Sequence, residues 1–91
     1  MYEWDEAKNQ VNFAKHGLSF EDAEAVFVGS CVTYRDDRFD YGEERFVTLG
    51  QLAGRVVVIA HTRRREKTRI ISMRKGNHRE QKAYQERFEA D

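Results

Sequence analysis

Cations are concentrated between Arg69 and Lys82, where a predicted strand leads into a predicted helix. Arg74 directly follows the apolar residues of that strand, and Arg79 lies in the first turn of the helix. A helix N-terminus carries partial positive charge, so cations at this position are unusual and indicate an anionic ligand. Guanidinium groups at such a junction can hold a phosphate through paired hydrogen bonds.

Phosphate contacts of this kind are compatible with RNA cleavage that uses no metal ion. The reaction needs a base for the 2′-hydroxyl proton, cations that stabilise charge on the phosphate, and an acid for the leaving 5′-oxygen. His61, predicted at the exit of the central strand, can carry out either proton transfer. The predicted catalytic residues are His61, Arg74, Arg79 and Tyr84. The predicted RNA-binding residues are Arg63, Arg64, Arg69, Lys75, His78 and Lys82.

Several of these residues have a structural interpretation as well. His61 suits the end of a strand, and Tyr84 suits a core position in which its hydroxyl group is hydrogen-bonded. Lys15 and His16 complement the dipole of a helix C-terminus, and Gly17 supplies the left-handed residue that ends it. Helix capping therefore explains this segment without a catalytic role for His16.

Other kinds of site have little support. The three histidines are far apart in sequence, and Cys31, the single cysteine, has no CxxC partner, so no metal site is predicted. The sequence lacks a Gly-rich phosphate loop, a dinucleotide-binding fingerprint and a GxSxG motif. We therefore predict no cofactor.

Two helices are predicted in the first third of the chain, at Asp5–His16 and Ser19–Val28. Asp5 is a suitable N-cap residue for the first helix, in which Ala7, Val11 and Ala14 recur at helical spacing. Phe20, Ala23 and Phe27 form the apolar side of the second helix. The two elements together predict a helical hairpin.

Four strands and a third helix follow. The strands are predicted at Cys31–Tyr34, Glu44–Leu52, Val56–Ala60 and Thr68–Arg74, and Tyr2–Trp4 is a candidate for a further short strand. The connections are a loop at Asp36–Gly42 and turns at Gln51–Gly54 and Arg63–Lys67. Asn77 caps the last helix, with Glu80 at the capping-box position and Tyr84 and Phe88 on one face.

This order of elements predicts one α+β domain over residues 1–91. An antiparallel four-stranded meander would carry the helices on one side and leave its other face open. The 63–67 turn and the Arg74–Arg79 junction would then lie at opposite ends of the last strand, roughly 20 Å apart. A polyanion such as RNA can touch both ends, whereas a small anion cannot.

The distribution of charge supports an anionic partner for the second half of the chain. Residues 1–46 carry a net charge of −6, residues 47–91 carry +6, and residues 55–82 carry +8. Charged strand edges that keep the protein soluble are the alternative explanation. The sequence has no membrane-spanning run and no signal peptide, and with one cysteine it predicts a cytoplasmic protein.

Taken in order, these segments resemble the BrnT family of toxins from type II toxin–antitoxin systems. The resemblance begins with W-D-x-x-K-x-x-x-N-x-x-K-H-G at residues 4–17 and continues through S-F-x-x-A, E-R and H-T. It ends with R-I-I-S-x-R, R-E and a tyrosine, which correspond to residues 69–74, 79–80 and 84. Gly76 and Asn77 replace the usual small residue and Ser or Thr, and Gly29-Ser30 replaces Asp-Pro.

The resemblance implies a RelE-like fold and a ribonuclease that inhibits translation. It also implies a BrnA-like antitoxin that neutralises the toxin, operator DNA bound only through the complex, and toxin–toxin contact in a heterotetramer. Two alternatives remain open on the residues alone. The basic face can bind nucleic acid or an acidic protein without chemistry, or the chain can serve only as the partner in a DNA-binding repressor complex.

Overall fold

The computed structural model describes residues 1–88, so the last three residues of the predicted 1–91 domain lie outside the described part. The helices are α1 (Glu6–His16), α2 (Ala23–Val28) and α3 (His78–Phe88), and a 3₁₀ turn, Phe20–Asp22, precedes α2. The strands are β1 (Tyr2–Glu3), β2 (Val32–Arg35), β3 (Phe46–Leu52), β4 (Arg55–Arg64) and β5 (Lys67–Lys75). Within this part of the chain, no helix combines the length and apolar character that crossing a membrane requires.

The five strands form one mixed sheet in the order β1-β5-β4-β3-β2. The antiparallel meander from β2 to β5 is confirmed. The prediction of a four-stranded, wholly antiparallel sheet was wrong, because β1 adds a fifth strand parallel to β5, with Tyr2 opposite Thr68. The candidate strand at Tyr2–Trp4 is thus confirmed as β1 over Tyr2–Glu3, and its pairing with β5 gives its place in the sheet.

Strand β4 is longer than predicted and includes His61, Arg63 and Arg64. The predicted 63–67 turn is only two residues long, Arg65 and Glu66, which have φ values of 50° and 69°. Two-residue turns with positive φ match the twist of antiparallel strands, so pairing continues up to the turn itself. Arg63 and Arg64 are therefore strand residues, and His61 lies within the strand rather than at its exit.

Helices cover both faces of the sheet. The helical-hairpin face packs α1, the 3₁₀ turn and α2 against β4 and β5, with a core built from Phe20, Val26, Val57, Ile59 and Met73. The α3 face packs Tyr84 against Leu49, Val56 and Val58. The prediction of helices on one side was thus wrong for α3, since the continuous apolar run of β4 places side chains that need cover on both faces.

Helix α1 buries a polar side rather than its predicted apolar one. Ala7, Val11 and Ala14 are exposed, whereas Asn9 and Asn12 are buried. The Asn12 Nδ2 donates to the carbonyl oxygens of Met73 (2.9 Å) and Leu18 (3.1 Å), and its Oδ1 accepts from the Met73 N–H. Strand β1 pairs with β5 only at Thr68 and Arg69, so it does not reach the backbone of Met73. The Asn12 amide supplies hydrogen bonds to that backbone instead.

The predicted helix caps of α1 and α3 are confirmed. The Asp5 carboxylate accepts from the Ala7 N–H at 2.9 Å, and Gly17 ends α1 with a φ of 71°. Asn77 and Glu80 form a reciprocal capping box: the Glu80 N–H donates to Asn77 Oδ1 at 2.8 Å, and the Asn77 N–H donates to Glu80 Oε1 at 2.9 Å. Polar side chains thus satisfy backbone groups at both helix starts.

Candidate nucleic-acid interface and active-site cleft

An open cleft of about 570 Å³ lies on the α3 face of the sheet, beside the start of α3. Most of its floor is one row of side chains in register across four strands: Tyr34, Val47, Ala60 and Ser72. Val58 and Arg74, paired in the neighbouring row, border the floor on the side of α3. The centre of the cleft is therefore lined by small side chains, with an aromatic ring at one end and a guanidinium group at the other.

Arg74 and Glu80 form a two-pronged ion pair at the α3 side of the cleft. Arg74 Nη1 and Nη2 donate to Glu80 Oε1 and Oε2, each at 2.8 Å. Hydrogen bonding by Arg74 lowers the pKa of Glu80 below its usual range, and the same bonds raise the pKa of Arg74. Glu80 is consequently ionised at neutral pH, in the form that can accept a proton.

A second charged group forms the opposite lip of the cleft, in the loop after β2. Arg38 Nε and Nη2 donate to the Asp36 carboxylate at 2.9 and 3.0 Å, and the Tyr41 hydroxyl group donates to it at 3.1 Å. The hydrogen bonds from Arg38 hold the pKa of Asp36 well below its usual range. Arg35 lies within 3.4 Å of both Asp37 and Glu44. Each arginine that lines the cleft is thus paired with a carboxylate.

His61 is not part of the cleft, because it lies on the helical-hairpin face and is only 8% exposed. Its ring stacks on Phe46 and meets the edge of Phe27, and its Nε2 lies 2.8 Å from Thr48 Oγ1. Burial lowers the pKa of His61 from 6.5 to about 4, so the ring is neutral at pH 7. The structure therefore separates His61 from Arg74 by the thickness of the sheet.

Tyr84 is buried beneath α3, with 4% of its surface exposed. Its hydroxyl group donates to the Ser30 carbonyl oxygen at 2.8 Å, and its ring lies 4.7 Å from that of Phe88. It lines a separate hollow with Gly29, Ser30 and Gln51. Of the four predicted catalytic residues, only Arg74 lines the large cleft.

The predicted RNA-binding residues, together with the predicted catalytic residue Arg79, fall into two groups. Arg64 and Arg69 are engaged in ion pairs with Glu43 (3.4 Å) and Glu3 (3.3 Å) respectively. A second group is exposed and makes no ion pair with any other residue of the described chain. It consists of Arg63, Lys75, His78, Arg79 and Lys82. The last four of these cluster where β5 meets α3, next to Arg74.

Sequence reasoning missed Tyr34 and gave Glu80 only a capping role. Glu80 could have been found, since it is one of two acids in the basic stretch between Arg55 and Lys82. Tyr34 carried no such signal, because the residues in its row of the cleft floor are 13 or more positions away in sequence and are brought together only by strand register. Within residues 1–88, no three His, Cys, Asp or Glu side chains are grouped as metal ligands.

A family model matches most of the chain. The family model for the ribonuclease toxin BrnT of type II toxin–antitoxin systems matches residues 4–80 of the 91-residue chain. The match includes β2 to β5, Arg74 and Glu80. No curated protein matches the chain.

Proposed function

The chain belongs to the BrnT family of ribonuclease toxins of type II toxin–antitoxin systems, and we propose that it cuts RNA in the cleft that holds the Arg74–Glu80 pair. In this proposal the enzyme is an endoribonuclease that requires no metal ion and acts in the cytoplasm, where cleavage of RNA inhibits translation. Arg74 contacts the scissile phosphate, and Glu80 is the general base.

The observation that carries the proposal is the two-pronged contact between Arg74 and Glu80 inside an open cleft. A guanidinium group that is oriented to meet two carboxylate oxygens has the fork geometry that also fits two phosphate oxygens. A bound phosphodiester would compete with Glu80 for Arg74 and leave the carboxylate beside the substrate. Arg79 is an exposed arginine in the first turn of α3, the residue before Glu80, and adds positive charge to this helix start.

The proposed reaction is an intramolecular transesterification at the scissile phosphate, with the 2′-hydroxyl group as the nucleophile. Glu80 accepts the 2′-hydroxyl proton, and the 2′-oxygen forms a bond to phosphorus while the bond from phosphorus to the 5′-oxygen breaks. Arg74 stabilises the negative charge on the phosphate oxygens, and water supplies the proton of the departing 5′-hydroxyl group. The products are a 2′,3′-cyclic phosphate and a 5′-hydroxyl end. His61 and Tyr84 have no role in these steps.

Membership in a type II system implies a protein antitoxin as partner. We propose that this antitoxin is BrnA-like, that operator DNA is bound only by the complex, and that the complex is a heterotetramer with contact between two toxin chains. The alternative function is binding of nucleic acid without cleavage. It uses the same basic surface, but the bound nucleic acid stays intact.

The test is RNA cleavage by purified Arg74→Ala and Glu80→Gln variants in buffer containing EDTA. Glutamine keeps the capping acceptor of α3 but loses the base, so this variant separates catalysis from folding. We expect each variant to lower the cleavage rate about 100-fold or more. Arg87→Ala, which removes an exposed arginine of the same helix away from the cleft, is the matched control and should cleave normally.

Analysis of the RNA ends separates the proposed chemistry from the alternatives. Cyclic phosphate ends that form in EDTA support the mechanism, whereas activity that disappears in EDTA and returns with a divalent cation contradicts the metal-independent step. Full cleavage by both cleft variants would exclude Arg74 and Glu80 as the catalytic pair. Tight binding with no new ends, in wild type as in variants, would select the non-catalytic alternative.

A further inference from the structure

Tyr34 occupies the end of the cleft opposite the Arg74–Glu80 pair. It lies on β2, an edge strand of the sheet, and the residue is 47% exposed. Register from β2 to β5 places it in one row with Val47, Ala60 and Ser72. Small side chains follow Tyr34 across the sheet, so one side of its ring adjoins open space in the cleft.

The distance across the cleft suits one nucleotide. Three strand spacings separate β2 from β5, or about 14 Å between backbones. Tyr34 and Arg74 both line this span. Partial burial raises the pKa of Tyr34, and the charge of Glu80 raises it further, whereas that of Arg74 lowers it. The cleft volume of about 570 Å³ lies within the range of about 300–1,000 Å³ that is usual for small-ligand pockets.

Packing does not account for the exposed ring. The other aromatic rings near the cleft lip have partners: Phe39 lies 5.8 Å from Tyr41, and Arg45 lies 4.2 Å from the Tyr41 ring. Tyr34 has no ring or cation partner of this kind within residues 1–88. Proteins stack unpaired bases on exposed aromatic rings and bind the adjoining phosphates with cations, and the ring of Tyr34 faces the guanidinium group of Arg74 across the cleft.

We propose that Tyr34 is the stacking platform for an unpaired nucleobase of the RNA whose phosphate contacts Arg74. The substrate class is single-stranded RNA, since a base can lie on Tyr34 only after it has left a helical stack. This inference rests on the proposed function, because it assigns a subsite of the same cleft. Stacking recognises the flat face of any base, so Tyr34 contributes affinity for unpaired RNA rather than strict sequence selection.

The experiment measures the affinity of a short single-stranded RNA in the Glu80→Gln background, where the proposed base is absent and binding can be measured by itself. Tyr34→Ala should weaken binding about tenfold or more, as expected for loss of one stacked base. Tyr34→Phe should stay within about twofold, since stacking requires the ring and not the hydroxyl group. Phe39→Ala is the matched control, because Phe39 is 67% exposed in the neighbouring loop and does not line the cleft.

Duplex RNA of the same sequence is the second probe. The protein with Tyr34 should bind the single strand more tightly than the duplex. Tyr34→Ala should remove most of this difference in affinity. If Tyr34→Ala binds the single strand as tightly as the parent protein does, the proposed base subsite is wrong. It is also wrong if Tyr34→Phe loses as much affinity as Tyr34→Ala, because the effect would then belong to the hydroxyl group. Thermal unfolding of each variant checks that the sheet edge is intact.

The binding experiment on Tyr34 and the cleavage experiment on Arg74 and Glu80 can fail independently of each other. If Arg74→Ala and Glu80→Gln leave cleavage intact while Tyr34→Ala weakens binding, the catalytic assignment fails and the base subsite stands. If the two cleft variants abolish cleavage while Tyr34→Ala binds normally, the base subsite alone fails.

Discussion

Glu80 links the start of α3 to the cleft through one carboxylate. Its Oε1 accepts both from Arg74 and from the Asn77 N–H, so the same atom neutralises a cation and caps a helix. A carboxylate at a helix start is favourable because it complements the positive end of the dipole. This explains how α3 begins among His78, Arg79 and Lys75 without a large cost in stability. It also means that a bound phosphate which displaces Arg74 can leave the cap in place.

The burial of His61 leads to a prediction about protein stability rather than catalysis. Its folded pKa of about 4 lies below the ordinary value of 6.5, so the unfolded chain binds a proton more readily than the folded one between these values. The stability from neutral His61 is present above pH 6.5 and is lost as the pH falls toward 4. Urea unfolding should show a loss of about 2 kcal/mol from this group between pH 7 and pH 4.5.

The comparison for this prediction is His61→Gln, which removes the titrating ring while all other groups remain. The stability of this variant should change less with pH than that of wild type over the same interval. Parallel pH curves for the two proteins would show that His61 does not titrate with a depressed pKa.

Among the secondary-structure elements, α1 shows how a helix can be held by amides instead of apolar side chains. Asn9 Oδ1 accepts from the Phe20 N–H at 2.8 Å and fixes the start of the 3₁₀ turn. Asn12 binds the backbone of Met73 on the outer edge of β5, beyond the end of β1. The two amides thereby position both the helical hairpin and the strand that leads to Arg74.

Asn12→Ala should therefore destabilise the protein by about 3 kcal/mol, because it leaves buried backbone groups of Met73 and Leu18 without partners. Chemical denaturation measures the change. The neighbouring substitution Val11→Ala is the control and should change stability by about 0.5 kcal/mol or less, since Val11 is 67% exposed. Equal losses in the two variants would mean that the helix, and not the amide contacts, determines stability.

For the whole molecule, folding joins the acidic first half to the basic second half. Glu3 pairs with Arg69, and Glu43 pairs with Arg64, so part of the basic stretch is neutralised inside the fold. Exposed cations that lack such pairs within residues 1–88 remain at both ends of β5: Arg63, Arg65 and Lys67 around the turn that precedes it, and Lys75, Arg79 and Lys82 at its junction with α3. The net charge of zero therefore hides a local surface that can attract a polyanion.

This distribution predicts how RNA binding depends on salt. In the Glu80→Gln background, Arg79→Ala should reduce the slope of log affinity against log salt concentration by about 0.7, as expected for one lost phosphate contact on a single strand. Arg69→Ala should change the slope much less, because Arg69 is already paired with Glu3. A titration of fluorescent RNA binding against salt checks both values.

A slope that falls equally in both variants would show that RNA displaces Glu3 from Arg69. In that case the RNA would follow β5 along its length, as the sequence alone suggests. A slope unchanged by Arg79→Ala would remove Arg79 from the phosphate contacts.

The amino-acid sequence by itself determined the local features of this protein. Capping residues placed the ends of α1 and the start of α3, and alternating or continuous apolar runs indicated the meander, because both signals depend on neighbours within a few positions. The ordered motifs also indicated the family, which the match over residues 4–80 confirms. Arg74 was predicted from its position between an apolar strand and a cationic helix start, and it lines the cleft.

Only the tertiary structure decided which side chains share the cleft with Arg74. Strand register brings Tyr34 within reach, although it lies 40 positions before Arg74, and a one-residue change of register would turn it to the other face. The same pairing sends His61 to the opposite face and buries it beneath Phe27. These outcomes depend on contacts between distant strands and helices, which the pattern along a single segment does not encode.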